Sequence, residues 1–554
     1  MAGCRWLGGL AGWLVAMGMV AFTAGANPAA EPVPVPVPPA RLRFEVSPPP
    51  GGWPSHPARL LLAVAPPGVV NPWTRIGDVG AQAITLLGAD VGPGCKPGPV
   101  RLDRDSALFP WRSLGELPPG SYRVQALVMT NRDLWRPDAP GNWLSPAREV
   151  LLQSTRSEVV RLTVDASLPV ETLPPETEFV RYRRIRSERL SRFWGRDMYV
   201  RVSVVVPRVF QSEPERRFPV LVHVGGYAGR YDRVAHWFKP GAEFGRVWAA
   251  PETPQWLVVA LDGAGPLGDP YQIDSDNHGP YGEALMEEIL PAVEKEFRGI
   301  GESWARLTTG GSTGGWVSFA LQVLYPDRFG GCWSGFPDPL DFQDFQLVNL
   351  YSDANAFVNA AGFERPSART RRGDVDFTMR HEVQHENVLG LGDRFTRSGG
   401  QWGAWNAVFG ARSPAGDPVP AWDSRSGKID PAAVAAWRRY DLTPLLATNW
   451  ATLGPKLRGK LHVWVGEADE YFLNHGVHRL DDFLRTAQPP AEAEVRFDAR
   501  AGHGWEPLGW AARWQEWQRV VEKGAPQPAT DAREAYFRSR FLHGAACPHC
   551  KGGR

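Results

Sequence analysis

Beyond residue 179 the chain alternates between two hydrophobic periods, and few architectures accommodate that alternation. Phe218-Pro-Val-Leu-Val-His-Val224 and Trp256-Leu-Val-Val-Ala-Leu261 are near-continuous apolar runs of strand length. From Glu283 to Phe297 the period changes. Leu285, Ile289, Val293 and Phe297 recur every four residues, as on one face of an amphipathic helix. Leu307 leads into a glycine turn at 310–315, and Trp316 to Leu324 reads as a helix. Lys460 to Val465 reads as a strand, a helix follows near 476–486, and Glu494 to Phe497 reads as the last strand. Strands of this kind are buried on both faces. Interleaved with helices, they predict an α/β region over 179–525 with a mostly parallel sheet and helices on both faces.

The segment before it has another texture. Arg41–Val46, Ala58–Val64, Tyr122–Val128 and Val159–Val164 are short runs read as alternating, separated by Gly/Pro turns such as Leu117-Pro-Pro-Gly-Ser121. No helical period intervenes, so a small β-sandwich is expected over 41–166. Pro-rich stretches at 27–40 and from Leu168 to Glu178 mark linkers. Residues 1–26 have the form of a secretory signal: Arg5, an apolar run from Trp6 to Ala21, then Ala24-Gly25-Ala26 as a small-residue cleavage site. The alternative, an uncleaved anchor, needs about 20 apolar residues, more than this run offers. Export to the periplasm or beyond is therefore expected, with no membrane attachment after signal removal. Residues 338–455 interrupt the strand–helix rhythm and hold Trp402, Trp405, Trp422, Trp437 and Trp450. An insertion of that size is expected as a cap over a site. A tail follows over 526–554.

Charge excludes some partners. Lys and Arg total 61 against 60 Asp and Glu, so there is no basic footprint for nucleic acid. Five cysteines (Cys4, Cys95, Cys332, Cys547 and Cys550) are too few for a disulfide scaffold, and the core must carry the fold.

Gly310-Gly311-Ser312-Thr313-Gly314 matches G-x-S-x-G between an expected strand and an expected helix. A nucleophilic serine there stands on a sharp turn with its oxygen exposed, and the Thr313 N–H behind it points at a developing oxyanion. An acid and a histidine must follow in chain order. Asp469 comes just after the strand at 460–465, with Glu467 and Glu470 as rivals, and His503 stands between Gly502 and Gly504 after the last strand. In that arrangement His503 takes the serine proton and Asp469 fixes the imidazole tautomer. A second oxyanion donor is expected from Val224-Gly-Gly-Tyr-Ala-Gly229, at Tyr227 with Gly226 as the alternative.

These residues, with Tyr325-Pro-Asp-Arg-Phe-Gly-Gly331, Gly466-Glu-Ala-Asp469 and Gly502-His503, resemble the esterase family of α/β-hydrolases that includes esterase D, enterochelin esterases, feruloyl esterases and mycolyltransferases. The resemblance covers about 180–520. The expected sandwich ahead of it is similar to the one in enterochelin esterases. The resemblance implies carboxylic-ester hydrolysis through an acyl-enzyme, with no cofactor and no metal. The 338–455 insertion is not general in that family, so the substrate, a small-molecule or polysaccharide-linked ester, is not carried over.

Other motifs point elsewhere. His381-Glu-Val-Gln-His385 matches H-E-x-x-H, the zinc-protease spacing, but no third ligand falls at a recognisable offset. Cys547-Pro-His-Cys550 resembles a thiol oxidoreductase motif without its βαβ setting. Arg181 to Arg186 alternates like the wet face of an edge strand. The 24 tryptophans allow a non-catalytic carbohydrate-binding reading, although packing is their commoner use. An acyltransferase would share every catalytic residue of the esterase.

Overall fold

The computed structural model describes residues 42–152 and 158–526. The expected signal, the linker at 27–40 and the Cys547–Cys550 pair lie outside the described residues.

Eight strands build the larger sheet. They are β1 (Val180–Ser187), β2 (Met198–Val205), β3 (Val220–Val224), β4 (Leu257–Leu261), β5 (Arg306–Gly311), β6 (Gly331–Gly335), β7 (Leu461–Gly466) and β8 (Glu494–Asp498). Their spatial order is β1-β2-β4-β3-β5-β6-β7-β8. β1–β2 and β2–β4 pair antiparallel, while the five pairings from β4 to β8 are parallel. β4 is buried at every position, which explains its unbroken apolar sequence. β5 and β6 carry little apolar signal because glycines replace it. A Cβ on Gly315 would stand 2.3 Å from the Gly335 carbonyl oxygen, so the helix Thr313–Leu324 lies directly against the strands. β1 occupies the sheet edge, where Val180 and Tyr182 face inward and Arg184 lies over the Tyr199 ring.

The helix expected over Glu283–Phe297 is interrupted. A helical turn at Tyr281–Ala284 passes into a π-helical turn, Leu285–Ile289, before the α-helix Leu290–Phe297. Pro291 has no N–H for the ordinary ladder at that point, and the wider turn accommodates the gap.

The described residues from Leu42 to Ser167 form two further sheets. A three-stranded sheet has Leu42–Ser47 between Val100–Leu102 and Glu158–Thr163. A seven-stranded sheet centres on Ala58–Ala65, which pairs with Thr85–Val91 and Gly120–Met129. Phe44 and Val46 of the first share a core with Leu60, Leu62, Val64, Val124, Ala126 and Val128 of the second. The opposite face of the second sheet is also covered. Leu61, Ala63, Leu86, Phe109 and Leu127 pack with Val388, Leu389 and Leu391 of the 338–455 insertion. Ala58–Ala65 is therefore buried at every position, and the alternating reading of this run is corrected: its apolar residues are continuous because both faces are covered.

Arg59 crosses that junction. Its side chain is 0 % exposed and meets Asp90 and Asp393 at 2.7 Å each, one carboxylate from each side. Its Nε donates to the Val388 carbonyl at 2.9 Å. A buried cation needs this degree of pairing, since desolvation alone costs several kcal/mol or more.

Within the insertion, Trp402, Trp405, Trp422 and Trp437 are buried: Trp402, Trp405 and Trp437 pack on Phe345, Trp437 also on Phe409, and Trp422 on Trp402 and Phe395. Trp450 is buried on the helix Leu442–Leu457, against Phe483.

Candidate active site

Ser312 sits where β5 turns into the helix Thr313–Leu324, with φ 59° and ψ −126°. A non-glycine residue there carries strain of order 1–3 kcal/mol. Three bonds hold it. The Ser312 N–H donates to the Gly335 carbonyl at 3.0 Å, and the Ser312 carbonyl accepts from the N–H groups of Trp316 (3.0 Å) and Asp338 (3.3 Å). The flanking glycines are required by contact. A Cβ on Gly310 would lie 2.4 Å from the Gly314 carbonyl oxygen, and one on Gly314 would lie 2.1 Å from that of Val224. Strand and helix approach too closely there for any side chain.

His503 lies on the loop after β8, and its Nδ1 is 2.8 Å from Asp469 Oδ2. Asp469 is fully buried after β7, and its other oxygen accepts from the Tyr471 N–H (2.9 Å) and the Leu473 N–H (3.3 Å). The ring edges of Phe336 and Tyr471 stand 4.8 and 4.9 Å from the imidazole, centroid to centroid, and fix its plane. The rival acids have other partners. Glu470 accepts the His503 backbone N–H, and Glu467 meets Asn474 and His478. Ser312 and His503 line one cavity of about 550 Å³.

Tyr227 lines the same cavity, on the loop after β3. Gly226 places its α-carbon face against the serine, where an added Cβ would stand 3.8 Å from Ser312 Cβ. The loop is closed by Gly229 N–H to Gly226 carbonyl and by Gly263 N–H to Gly229 carbonyl, each 2.8 Å. The Tyr227 hydroxyl donates to the Gly399 carbonyl of the insertion. Among the described residues no acceptor in the chain meets the Tyr227 N–H. Thr313 is the first residue of its helix, where backbone N–H groups have no intrahelical partner. Tyr227 thus shares the cavity with Ser312, and Thr313 follows Ser312 directly in the chain.

Sequence reasoning missed Asp338. It follows β6, is 4 % exposed, and lines the cavity. Its Oδ2 accepts from the Tyr271 hydroxyl (2.5 Å), the Thr313 hydroxyl (2.8 Å) and Trp405 Nε1 (3.3 Å). Burial pushes the Asp338 carboxyl up and its three donors hold it back down. Burial likewise raises the Asp269 carboxyl to about 7, although the Tyr271 and Ala228 N–H groups donate to it. No local motif marks Asp338. Its one sequence signal is a carboxylate in the apolar run after a core strand.

The H-E-x-x-H residues separate onto two faces of the helix Met379–Leu389. His381 and His385 turn toward Phe109, with centroids 4.7 and 5.0 Å away. His385 Nε2 meets the Ile76 carbonyl at 2.7 Å, and burial lowers its pKa to about 4. Glu382 and Glu386 line the cavity, as does His385, and the two carboxylates are held by tryptophan and backbone N–H groups of the helix Gln401–Phe409. One other set of metal-type donors lies together among the described residues: His462, Glu494 and Glu516, within 4.8 Å of one another. Arg496 pairs with Glu494, Trp333 Nε1 donates to Glu516, and none of the three lines the cavity.

No family model and no curated protein matches the chain. Solved structures do. A ferulic acid esterase is similar at 17 % identity, covering 63 % of this chain and 100 % of that one, with a TM-score of 0.35. An S-formylglutathione hydrolase of Agrobacterium tumefaciens is similar at 13 %, covering 67 % and 99 %, with a TM-score of 0.33. The fluorophosphonate-binding serine hydrolase FphF of Staphylococcus aureus is similar at 12 %, covering 62 % and 98 %, with a TM-score of 0.34.

Proposed function

We propose that this chain is an exported serine carboxylic-ester hydrolase in which Ser312, His503 and Asp469 form the catalytic triad. The observation that carries the reading is the strained Ser312 turn opening into the cavity that His503 also lines, with His503 Nδ1 bonded to the buried Asp469. In this reading Nδ1–H donates to Asp469, which leaves Nε2 to take the serine proton. Ser312 Oγ then attacks the ester carbonyl. The Tyr227 and Thr313 N–H groups receive the negative charge of the tetrahedral intermediate. Collapse breaks the ester C–O bond, and the imidazolium delivers its proton to the departing alcohol. Water, deprotonated by His503, attacks the acyl-serine and releases the acid and Ser312. The 41–166 region is read here as an accessory β-sandwich and 338–455 as a cap that shapes the pocket for a bulky or polysaccharide-linked ester.

A fluorophosphonate probe tests the reading. Wild-type protein should be labelled and Ser312→Ala should not. A panel of aryl, acetyl and feruloyl esters should be hydrolysed only by wild type. Folded wild-type protein that takes up no label and cleaves none of the panel would refute it.

A further inference from the structure

The cavity wall includes side chains from outside the large-sheet region. An arm, residues 131–142, leaves the strand Gly120–Met129 of the seven-stranded sheet, and its Trp135, Arg136 and Pro137 line the cavity. The arm is tied at its base. Asn142 is fully buried at its base, where Oδ1 accepts from the Thr130 and Asn131 N–H groups and Nδ2 donates to the carbonyls of Arg136 and Pro137. It is also docked. The Trp135 N–H donates to the Gly265 carbonyl at 3.0 Å, and Arg196 pairs with Asp133 at 3.0 Å.

At its tip, Arg136 reaches the oxyanion loop. Nη1 donates to the Ala228 carbonyl at 3.0 Å, while Nε and Nη2 bind Asp138 Oδ1 and Oδ2 at 2.8 and 3.0 Å. Ala228 directly follows Tyr227 and has φ 52°, a left-handed conformation that a non-glycine residue holds only when its surroundings impose it. The impositions are visible. Arg136 takes the carbonyl of Ala228, and Asp269 Oδ2 takes its N–H at 2.9 Å. Asp138 occupies the remaining face of the guanidinium fork, so the pair is neutral and is not arranged to capture an anionic substrate group.

We propose that Arg136 is a positioning residue, supplied by the N-terminal β region, that holds the Tyr227 N–H in line with the oxyanion. The proposal rests on Ser312 being the nucleophile of an ester hydrolase. It assigns the N-terminal region a part in the chemical step, acting through the backbone of the large-sheet region and not through substrate.

The test is kinetic, on the full chain. Arg136→Gln should lower kcat about 10- to 100-fold, the scale of a displaced or lost oxyanion donor, with KM changed by no more than about threefold. The inhibition constant of a trifluoromethyl ketone should rise by the factor that kcat/KM falls, since that adduct uses the same donors. Arg136→Lys keeps one donor to the Ala228 carbonyl and should recover most of the loss. Asp138→Asn loosens the guanidinium without removing it. It should lower kcat about 3- to 10-fold, which keeps the proposal testable if Arg136→Gln does not fold. Thermal unfolding of each variant separates a folding defect from a catalytic one. Unchanged kcat in folded Arg136→Gln overturns the proposal. So does a rise in KM confined to anionic esters at constant kcat, which would make Arg136 a substrate-binding group. Wild-type protein whose Ser312 takes no fluorophosphonate overturns the esterase reading itself, a result distinct from either.

Discussion

The serine turn and the cavity wall facing it are built by opposite means. What shapes the turn lies within a few residues of Ser312 or on the adjoining strand β6 and the loop just after it: Gly310 and Gly314 for the close approach, Trp316, Gly335 and Asp338 for the backbone bonds. The wall joins Trp135 and Arg136 to Glu382, Gly399 and Trp405, residues some 250 positions apart that meet only when two regions dock. Chemistry of this type needs a few groups in one fixed geometry, and a short motif can supply it. A wall needs shape and can be drawn from wherever the chain offers a surface.

The comparison can be broken in order of expected effect. If His503 is the base of the proposed triad, His503→Gln should lower kcat by about 10⁴–10⁶ while the unfolding midpoint in urea stays near that of wild type. A large fall in stability would show that the turn and the scaffold are one system. Arg59→Met should act the other way. It leaves the Val388 carbonyl buried without its donor, while Asp90 and Asp393, each about half exposed, regain water, so the cost should be about 1–3 kcal/mol in denaturant unfolding. Esterase activity at low denaturant should persist in the folded fraction.

Leu61→Ala and Leu62→Ala sharpen the same contrast within one strand. Leu62 faces the three-stranded sheet and Leu61 faces the insertion. Both are 0 % exposed, so each truncation should cost about 2–5 kcal/mol. A cost below about 1 kcal/mol for Leu61 alone would mean that the junction is loosely packed in solution.

The smallest effect concerns pH. Burial raises the Glu386 carboxyl to about 8, from an ordinary value near 4.5, with Glu382 adding to the shift. The folded protein then binds more protons than the unfolded chain between those values, so this group's contribution to stability declines as pH rises from about 4.5 to about 8. Glu386→Gln should flatten part of that decline in urea unfolding measured at pH 5 and pH 8. The decline should not vanish, because Asp269 and Asp441 are each raised to about 7 by burial. A variant with the wild-type slope would show that Glu386 is ionised throughout.

What the sequence revealed follows the same division. β3, β4 and β7 announced themselves because a strand buried on both faces has a continuous apolar run, while β8, at the sheet edge and half-buried throughout, showed only the alternation of Val495 and Phe497 with charged residues. β5 was expected only as the strand leading from Leu307 into the serine turn, and β6 was not expected, since close packing had put glycines in place of side chains. Asp469 and His503, placed after β7 and β8 by chain order, do meet. Asp338 was invisible, because its meaning lies in Tyr271 and Trp405, each 67 residues away. In Ala58–Ala65 apolar residues fall on both faces of the strand, Leu60 and Leu62 on one and Leu61 and Ala63 on the other, the pattern of a strand covered on both sides. What supplied the second cover, a helix more than 300 residues later, could not be inferred from the strand.

That distance matters while the chain is being made. Leu61, Leu86, Phe109 and Leu127 form an apolar face whose cover, Val388 to Leu391, is synthesised far behind them. The roughly 260 residues between Met129 and Val388 take on the order of 13–50 s at about 5–20 residues per second. For that interval the nascent chain presents an uncovered sheet face, a surface on which neighbouring chains associate as readily as its own helix. Chaperone occupancy should therefore concentrate on chains stalled between these two points and fall once residue 391 has emerged.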